Sequence, residues 1–226
     1  MRSTNVNLKP TTMRGNEMLL EPHELYSYLN PNTVKGILHI GAHLCEEKNY
    51  YNNVLRVVDD KIIWVEGSPE MATRAKHLYP NSIILQALCS EKDGEVVDFM
   101  LTSNAQESSS ILEFGTHTTH HPHVKETGKI KLTTTTIDTL LEHIDTSFVN
   151  FINIDVQGAE KLVLSGATKI LEQVDYIYAE INTEEVYKGC CLLPDFDAFL
   201  ANFGFKRACT KMTQFNWGDA LYVKSN

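Results

Sequence analysis

Between residues 36 and 181 the chain alternates short, nearly continuous apolar runs with amphipathic stretches. The runs are GILHIG at 36–41, KIIWVE at 61–66, SIILQAL at 82–88, VNFINID at 149–155 and DYIYAEI at 175–181. Strands covered by helices on both faces have this character, because neither face meets water. Helical spacing fits 45–58, 69–78, 137–143, 159–172 and 194–202, with Pro69 and Pro194 where a first turn tolerates proline. A shorter helix is predicted in EPHELYSYLN, where Leu25, Tyr28 and Leu29 share a face and Asn30-Pro31 ends it. The alternation predicts an α/β fold: a largely parallel sheet with crossover helices.

Two segments break the pattern. A turn at Asp93-Gly94 leads into EVVDFML, which reads as a strand returning after the third one. Residues 102–129 follow, rich in Ser, Thr and His without periodicity, and loops of that length in a compact domain are usually functional or disordered. At the far end FKRACTKM and ALYVK read as two final strands joined by a turn through Asn216 to Asp219. Residues 1–20 are polar and lack a core-facing stripe, so they are expected to be an arm preceding one domain over 21–226.

Composition narrows the function. A chain of 226 residues with 42% hydrophobic and 22% charged residues suits one globular domain. The formal net charge of -9 disfavours nucleic acid as a partner, and Lys125, Lys129 and Lys131 are scattered rather than clustered. Five cysteines without a C-x-x-C pair read as free thiols in a reducing compartment. No run approaches the ~18 apolar residues of a membrane span, and the opening MRSTNVNLKP lacks the apolar core of a secretory signal. The expectation is a cytoplasmic protein without a membrane partner.

Candidate chemistry gathers where the apolar runs end. HIGAHLCEE, residues 39–47, puts Gly41 and Ala42 in a turn where backbone can approach a ligand and a helix start offers free N–H groups. Glu66 closes the second run twenty-five residues after Gly41, near the spacing at which an acidic residue takes ribose hydroxyls in dinucleotide folds. Together they point to a ribose-bearing cofactor; separately, each also fits a tight strand-to-helix packing or a solvated strand end. THTTHHPH holds His117, His120, His121 and His123 within seven residues, and a solvated loop, a metal cluster or a lid carrying a base all fit it.

The segments HIGAHLCEE, IIWVEGSP, SSSI, NIDVQGAEKLVLSGA and WGDALYV, in this order, resemble the FkbM-type methyltransferase family over roughly residues 35–224. DVQGAE is the most specific of them, with Asp155, Gln157, Gly158 and Glu160 in a strand-to-helix turn. The resemblance implies S-adenosylmethionine as cofactor and a Rossmann-like class I fold, with a mostly parallel seven-stranded sheet whose last pair is antiparallel. It also implies methyl transfer, commonly to oxygen. Mapped onto this chain, it implies cofactor contacts from His39, Gly41, Ala42, His43, Glu66, Ser109, Ser110 and Asp155. Many members carry Asp where His39 stands and Gly where Cys45 stands.

Asp155 then falls near the cofactor's reactive end as a candidate base, or serves as the N-cap of the following turn. His123 is the favoured histidine, because Pro-His-Val resembles an element in similar sequences. Gln157, Glu180, Asn182 and Trp217 are candidates for the acceptor: carboxylate and amides for hydroxyls, the indole for a sugar face. No metal is expected. The predicted function is O-methylation of a sugar hydroxyl, on a glycan or a nucleotide sugar. A nicotinamide-dependent oxidoreductase is the first alternative, although G-x-G-x-x-G and Tyr-x-x-x-Lys are missing; a noncatalytic nucleotide-binding module is the second.

Overall fold

A computed structural model describes residues 18–225, so most of the expected arm lies outside the described residues. In chain order the elements are α1 (Pro22–Tyr26), β1 (Ile37–Ile40), α2 (Lys48–Asn53), β2 (Ile62–Glu66), α3 (Pro69–Leu78), β3 (Ile83–Gln86), β4 (Leu88–Cys89) and β5 (Val96–Thr102). There follow α4 (His117–His120), β6 (Glu126–Thr135), α5 (Ile137–Leu140), β7 (Phe151–Ile154), α6 (Glu160–Ser165), α7 (Thr168–Gln173), β8 (Tyr176–Asn182), α8 (Leu193–Ala201), β9 (Phe205–Met212) and β10 (Trp217–Lys224).

Seven strands form the main sheet in the order β3-β2-β1-β7-β8-β10-β9. The first five run parallel, and β10 is antiparallel to both β8 and β9. Alternate residues of the apolar runs enter different cores. Leu38, Ile40, Ile63, Val65, Ile152 and Ile154 pack with Val163, Leu171, Phe196 and Leu200 on one side. Ile37, Ile62, Trp64 and Phe151 pack with Leu25, Tyr51, Leu55 and Ala75 on the other. Burying each such side chain contributes about 1.5–3 kcal/mol, which is why the runs show no polar face. Met18 and Leu20 also belong to the second core.

Several expectations need correction. EVVDFML forms β5 as expected, and its partner is the unforeseen β6, in a separate three-stranded sheet, β4-β6-β5. The stretch 102–129 is not structureless: it holds α4, the start of β6, and bridges from Ser110 to Met100 and from Phe114 to Tyr187. The helix expected at 45–58 is confined to 48–53, because His43 (φ 43°) and Cys45 (φ 60°) are left-handed and delay its start. The helix expected at 159–172 breaks at Gly166-Ala167 into α6 and α7. A Cβ on Gly166 would lie 2.4 Å from the Ser90 carbonyl oxygen, so the break brings α6 and the end of β4 into close approach. The final turn covers 213–216, and Trp217 to Asp219 lie inside β10.

Candidate active site

The carboxyl ends of β1, β2, β7 and β8 open onto the same side of the sheet, where ligands of open α/β sheets bind. Gly41 leaves β1 at φ 89°, and a Cβ there would stand 1.7 Å from the Asp155 carbonyl oxygen. Only glycine lets the turns after β1 and β7 close on each other in this way. Beside it Glu66 is buried at the end of β2, its two oxygens accepting from the backbone N–H groups of His43 (2.7 Å) and Ser68 (2.6 Å). Each oxygen keeps a lone pair for a further donor. Burial raises the Glu66 pKa, while these two N–H groups work the other way.

A narrow cavity runs from Gly41, His43 and Glu66, past Val65, Leu88, Cys89, Phe99, Ile111 and Val163, to Asp155 and Gln157. One end is polar and the rest is an apolar slot, a lining suited to a ribose and a flat base. The loop 103–110 roofs it. His43 ties that loop down, with Nδ1 at 2.8 Å from Glu46 Oε1 and Nε2 at 2.9 Å from the Ala105 carbonyl oxygen. Both ring nitrogens face acceptors, which favours the imidazolium. Burial pulls the His43 pKa down, but Glu46 and the other acceptors prevail and bring it up to about 9. Gln106 adds a second tie, accepting from the Ser68 hydroxyl (2.7 Å) and donating to Glu70 (2.8 Å).

The turn after β7 is shaped by Glu160, whose Oε1 accepts from the N–H groups of Val156 (3.0 Å) and Gly158 (3.1 Å). Gln157, left-handed at φ 56°, is thereby aimed across the site. Its amide nitrogen donates to Asp155 Oδ1 (2.6 Å) and Glu180 Oε2 (3.1 Å), and its oxygen accepts from the Tyr187 hydroxyl (2.6 Å). Asp155 is exposed to the open space above the turn, so water screens the upward push that its enclosure by protein puts on its pKa. Glu180 is buried, and burial together with the charges of Asp155, Glu160 and Asp219 lifts its pKa well above the carboxylate range. Asp155, Glu160 and Glu180 are close enough to share a cation. Here Glu160 is committed to the turn, and the Gln157 amide donates to both of the others.

A second, wider cleft of about 570 Å³ begins where the first cavity ends. Glu107, Asp155 and Gln157 line both. Glu180, Trp217, Tyr178, Tyr187, Asp219, His117, His121 and His123 line the wide cleft, as do Met18 and Leu19. Asp219 accepts from the Leu19 N–H (2.8 Å) and from the Tyr178 hydroxyl. Burial pushes Asp219 up to about 7.

The structure therefore gathers Gly41, His43, Glu66, Ser109 and Asp155 on the narrow cavity, and Asp155, His123, Gln157, Glu180 and Trp217 on the wide one. Four expected contributors line neither. His39 sits in the core, its Nδ1 accepting from the Tyr51 hydroxyl (2.8 Å), which in turn accepts from Asn153 (2.6 Å). Burial holds His39 down at about 4, so it is a neutral packing residue beside Trp64. Ala42 is buried in the turn, Ser110 donates to the Gln157 carbonyl oxygen (2.8 Å), and Asn182 is buried beside Trp217 across the β8–β10 pair. Sequence reasoning missed Tyr187, Glu107 and Asp219. Tyr187 lies in an irregular segment after β8 with no motif around it, whereas Asp219 was within reach through WGDALYV.

Residues 39–207 match the methyltransferase FkbM domain. The chain belongs to the FkbM methyltransferase family. A curated relative, the 2-O-methyltransferase NoeI of Sinorhizobium fredii, is 29% identical over 115 residues, which are 48% of this chain and 45% of the relative. The match thus spans less than half of that relative's length. Among solved structures, methyltransferase FkbM from Methylobacillus flagellatus superposes with a TM-score of 0.54 at 13% identity, covering 90% of this chain and 50% of that one. A Rossmann-superfamily protein from Streptococcus agalactiae gives 0.51 at 11% identity over 94% and 72%. These likenesses confirm the Rossmann-like fold with its antiparallel final pair. FkbM membership makes residues 39–207 a methyltransferase domain with S-adenosylmethionine as its cofactor, and sets aside the nicotinamide alternative. The narrow cavity fits that group: Glu66 offers lone pairs to ribose hydroxyls, the apolar slot suits adenine, and Asp155 at the far end suits a sulfonium.

Proposed function

We propose that the FkbM chain is an O-methyltransferase that places a sugar hydroxyl in the wide cleft, against Asp155. The observation that carries this reading is the junction at Glu107, Asp155 and Gln157, the residues common to the two cavities. The cofactor supplies an electrophilic methyl group there. The chain's part is to hold an acceptor oxygen in line, keep water out and receive its proton. Asp155 suits the last role, since Gln157 occupies one carboxylate oxygen and leaves the other to the cleft. His123, exposed at the rim, is the candidate to orient the acceptor or act as a second base. Trp217, Tyr187 and Glu180, whose pKa burial raises, offer an apolar face and hydrogen bonds, a combination matched to carbohydrate. NoeI, named as a 2-O-methyltransferase, supports transfer to oxygen.

The test is single-turnover transfer from S-adenosylmethionine to a panel of hexose and deoxyhexose derivatives, read by mass spectrometry. Asp155→Asn is expected to slow methylation about 100-fold or more, the scale of general-base catalysis, with a smaller change in cofactor affinity. His123→Ala is expected to lower the rate or raise the acceptor requirement. Near-native rates for both variants would remove these assignments.

A further inference from the structure

The wide cleft has an unusual charge balance. Among the described residues Glu47, Glu107, Asp155 and Asp219 line it together with the buried Glu180, and no lysine or arginine does. Two of its histidines are held away from the charged form. Burial and the neighbouring imidazoles hold His117 down at about 4, and burial lowers His121 as well. The imidazolium of His43 is on the narrow cavity, paired with Glu46. Nor are backbone donors on offer at the turn after β7, where Glu160 already takes the N–H groups of Val156 and Gly158. The Gln157 amide donates to two carboxylates. What the described residues leave for a ligand is carboxyl oxygens, imidazoles, the side chains of Asn104 and Ser108, and the rings of Tyr178, Tyr187 and Trp217.

A pyrophosphate is recognised by arginine or lysine forks, by helix N-termini or by oriented N–H groups. Among the described residues the lining of this cleft presents no arginine or lysine fork, and its carboxylates repel a polyanion in a partly dry site, where charge interactions are stronger than in water. An uncharged sugar meets no such penalty. Its hydroxyls find partners in the carboxyl groups, Glu180 among them, and its C–H face can lie on an aromatic ring.

Building on the sugar reading above, we propose that the acceptor is an uncharged, glycosidically linked sugar, and that nucleotide-activated sugars are excluded. The reaction that supplies the substrate is then a glycosyl transfer. Nucleoside diphosphate has left before methylation occurs, and the product is a glycoside with one hydroxyl closed to further extension.

Two measurements on the full chain decide this. In the first, UDP, GDP and inorganic pyrophosphate are titrated by calorimetry into protein saturated with S-adenosylhomocysteine, once with EDTA and once with magnesium. No binding at millimolar concentration is expected in either condition. Binding in either one, including binding bridged by magnesium at Asp155 and Glu180, overturns the exclusion. In the second, kcat/KM is compared between methyl glycosides and the UDP or GDP forms of the same sugars, with at least a tenfold preference for the glycosides expected. Equal or better use of the nucleotide sugars overturns the proposal. Transfer to neither form removes the sugar reading itself, while the titrations still report whether the cleft rejects phosphate.

Discussion

Glu66 and His43 show how single side chains shape the narrow cavity. The Glu66 carboxylate is fixed by two backbone N–H groups before any ligand arrives, so as the proposed ribose acceptor it would lose little further rotamer freedom. Glu66→Ala is expected to weaken S-adenosylhomocysteine binding by about 1–3 kcal/mol, the scale of a lost charged hydrogen bond. Calorimetry on the folded variant measures it, and unchanged affinity would remove Glu66 from the site. His43 makes a pH-dependent prediction. Its folded pKa of about 9 lies above the ordinary 6.5, so its contribution is complete below pH 6.5 and is lost as pH rises through 9. Glu46 has a lowered pKa, so its share is present above its ordinary 4.5 and is lost as pH falls through its folded value. The urea midpoint of wild type should therefore exceed that of His43→Gln between these limits, and the gap should close above pH 9. A constant gap across that range would show that the imidazolium does not hold the roof loop.

At the scale of elements, legibility followed burial. Strands β1, β2, β7 and β8 were plain because both faces are covered, and α3 was plain because Ser68 caps it and Pro69 opens it. Strand β6 was missed because its residues alternate between exposed and half-buried, with Ile130 and Leu132 its only large apolar side chains. Such a strand shows little of the period that hydrophobic patterning reads. Asp155 and Glu66 could be found because they end buried strands. Tyr187 could not, since only the left-handed turn at Gln157 brings the two together. That turn depends on Glu160, hence Glu160→Ala should cost about 1–3 kcal/mol for the two N–H groups it strands. Glu160→Gln keeps an acceptor and should recover most of the loss. Equilibrium urea denaturation of both variants checks this, and equal losses would show that charge rather than acceptance shapes the turn.

For the molecule as a whole, the order of strands decides what the site can do. Placing β7 between β1 and β8 sets the Asp155 turn against both the Gly41 turn and Glu180, and it divides the space above the sheet into two chambers with Glu107, Asp155 and Gln157 as their common wall. No cysteine lines the wide chamber, and Cys89, on the narrow one, has its thiol pushed up to about 12 by burial. A thiol so reluctant to ionise is a poor relay for a methyl group. Donor and acceptor must therefore be present together, and double-reciprocal plots should intersect rather than run parallel. The same wall fixes handedness: a methyl group made chiral with hydrogen, deuterium and tritium should cross it once and emerge with its configuration inverted, and retention would mean that it had stopped on the protein along the way.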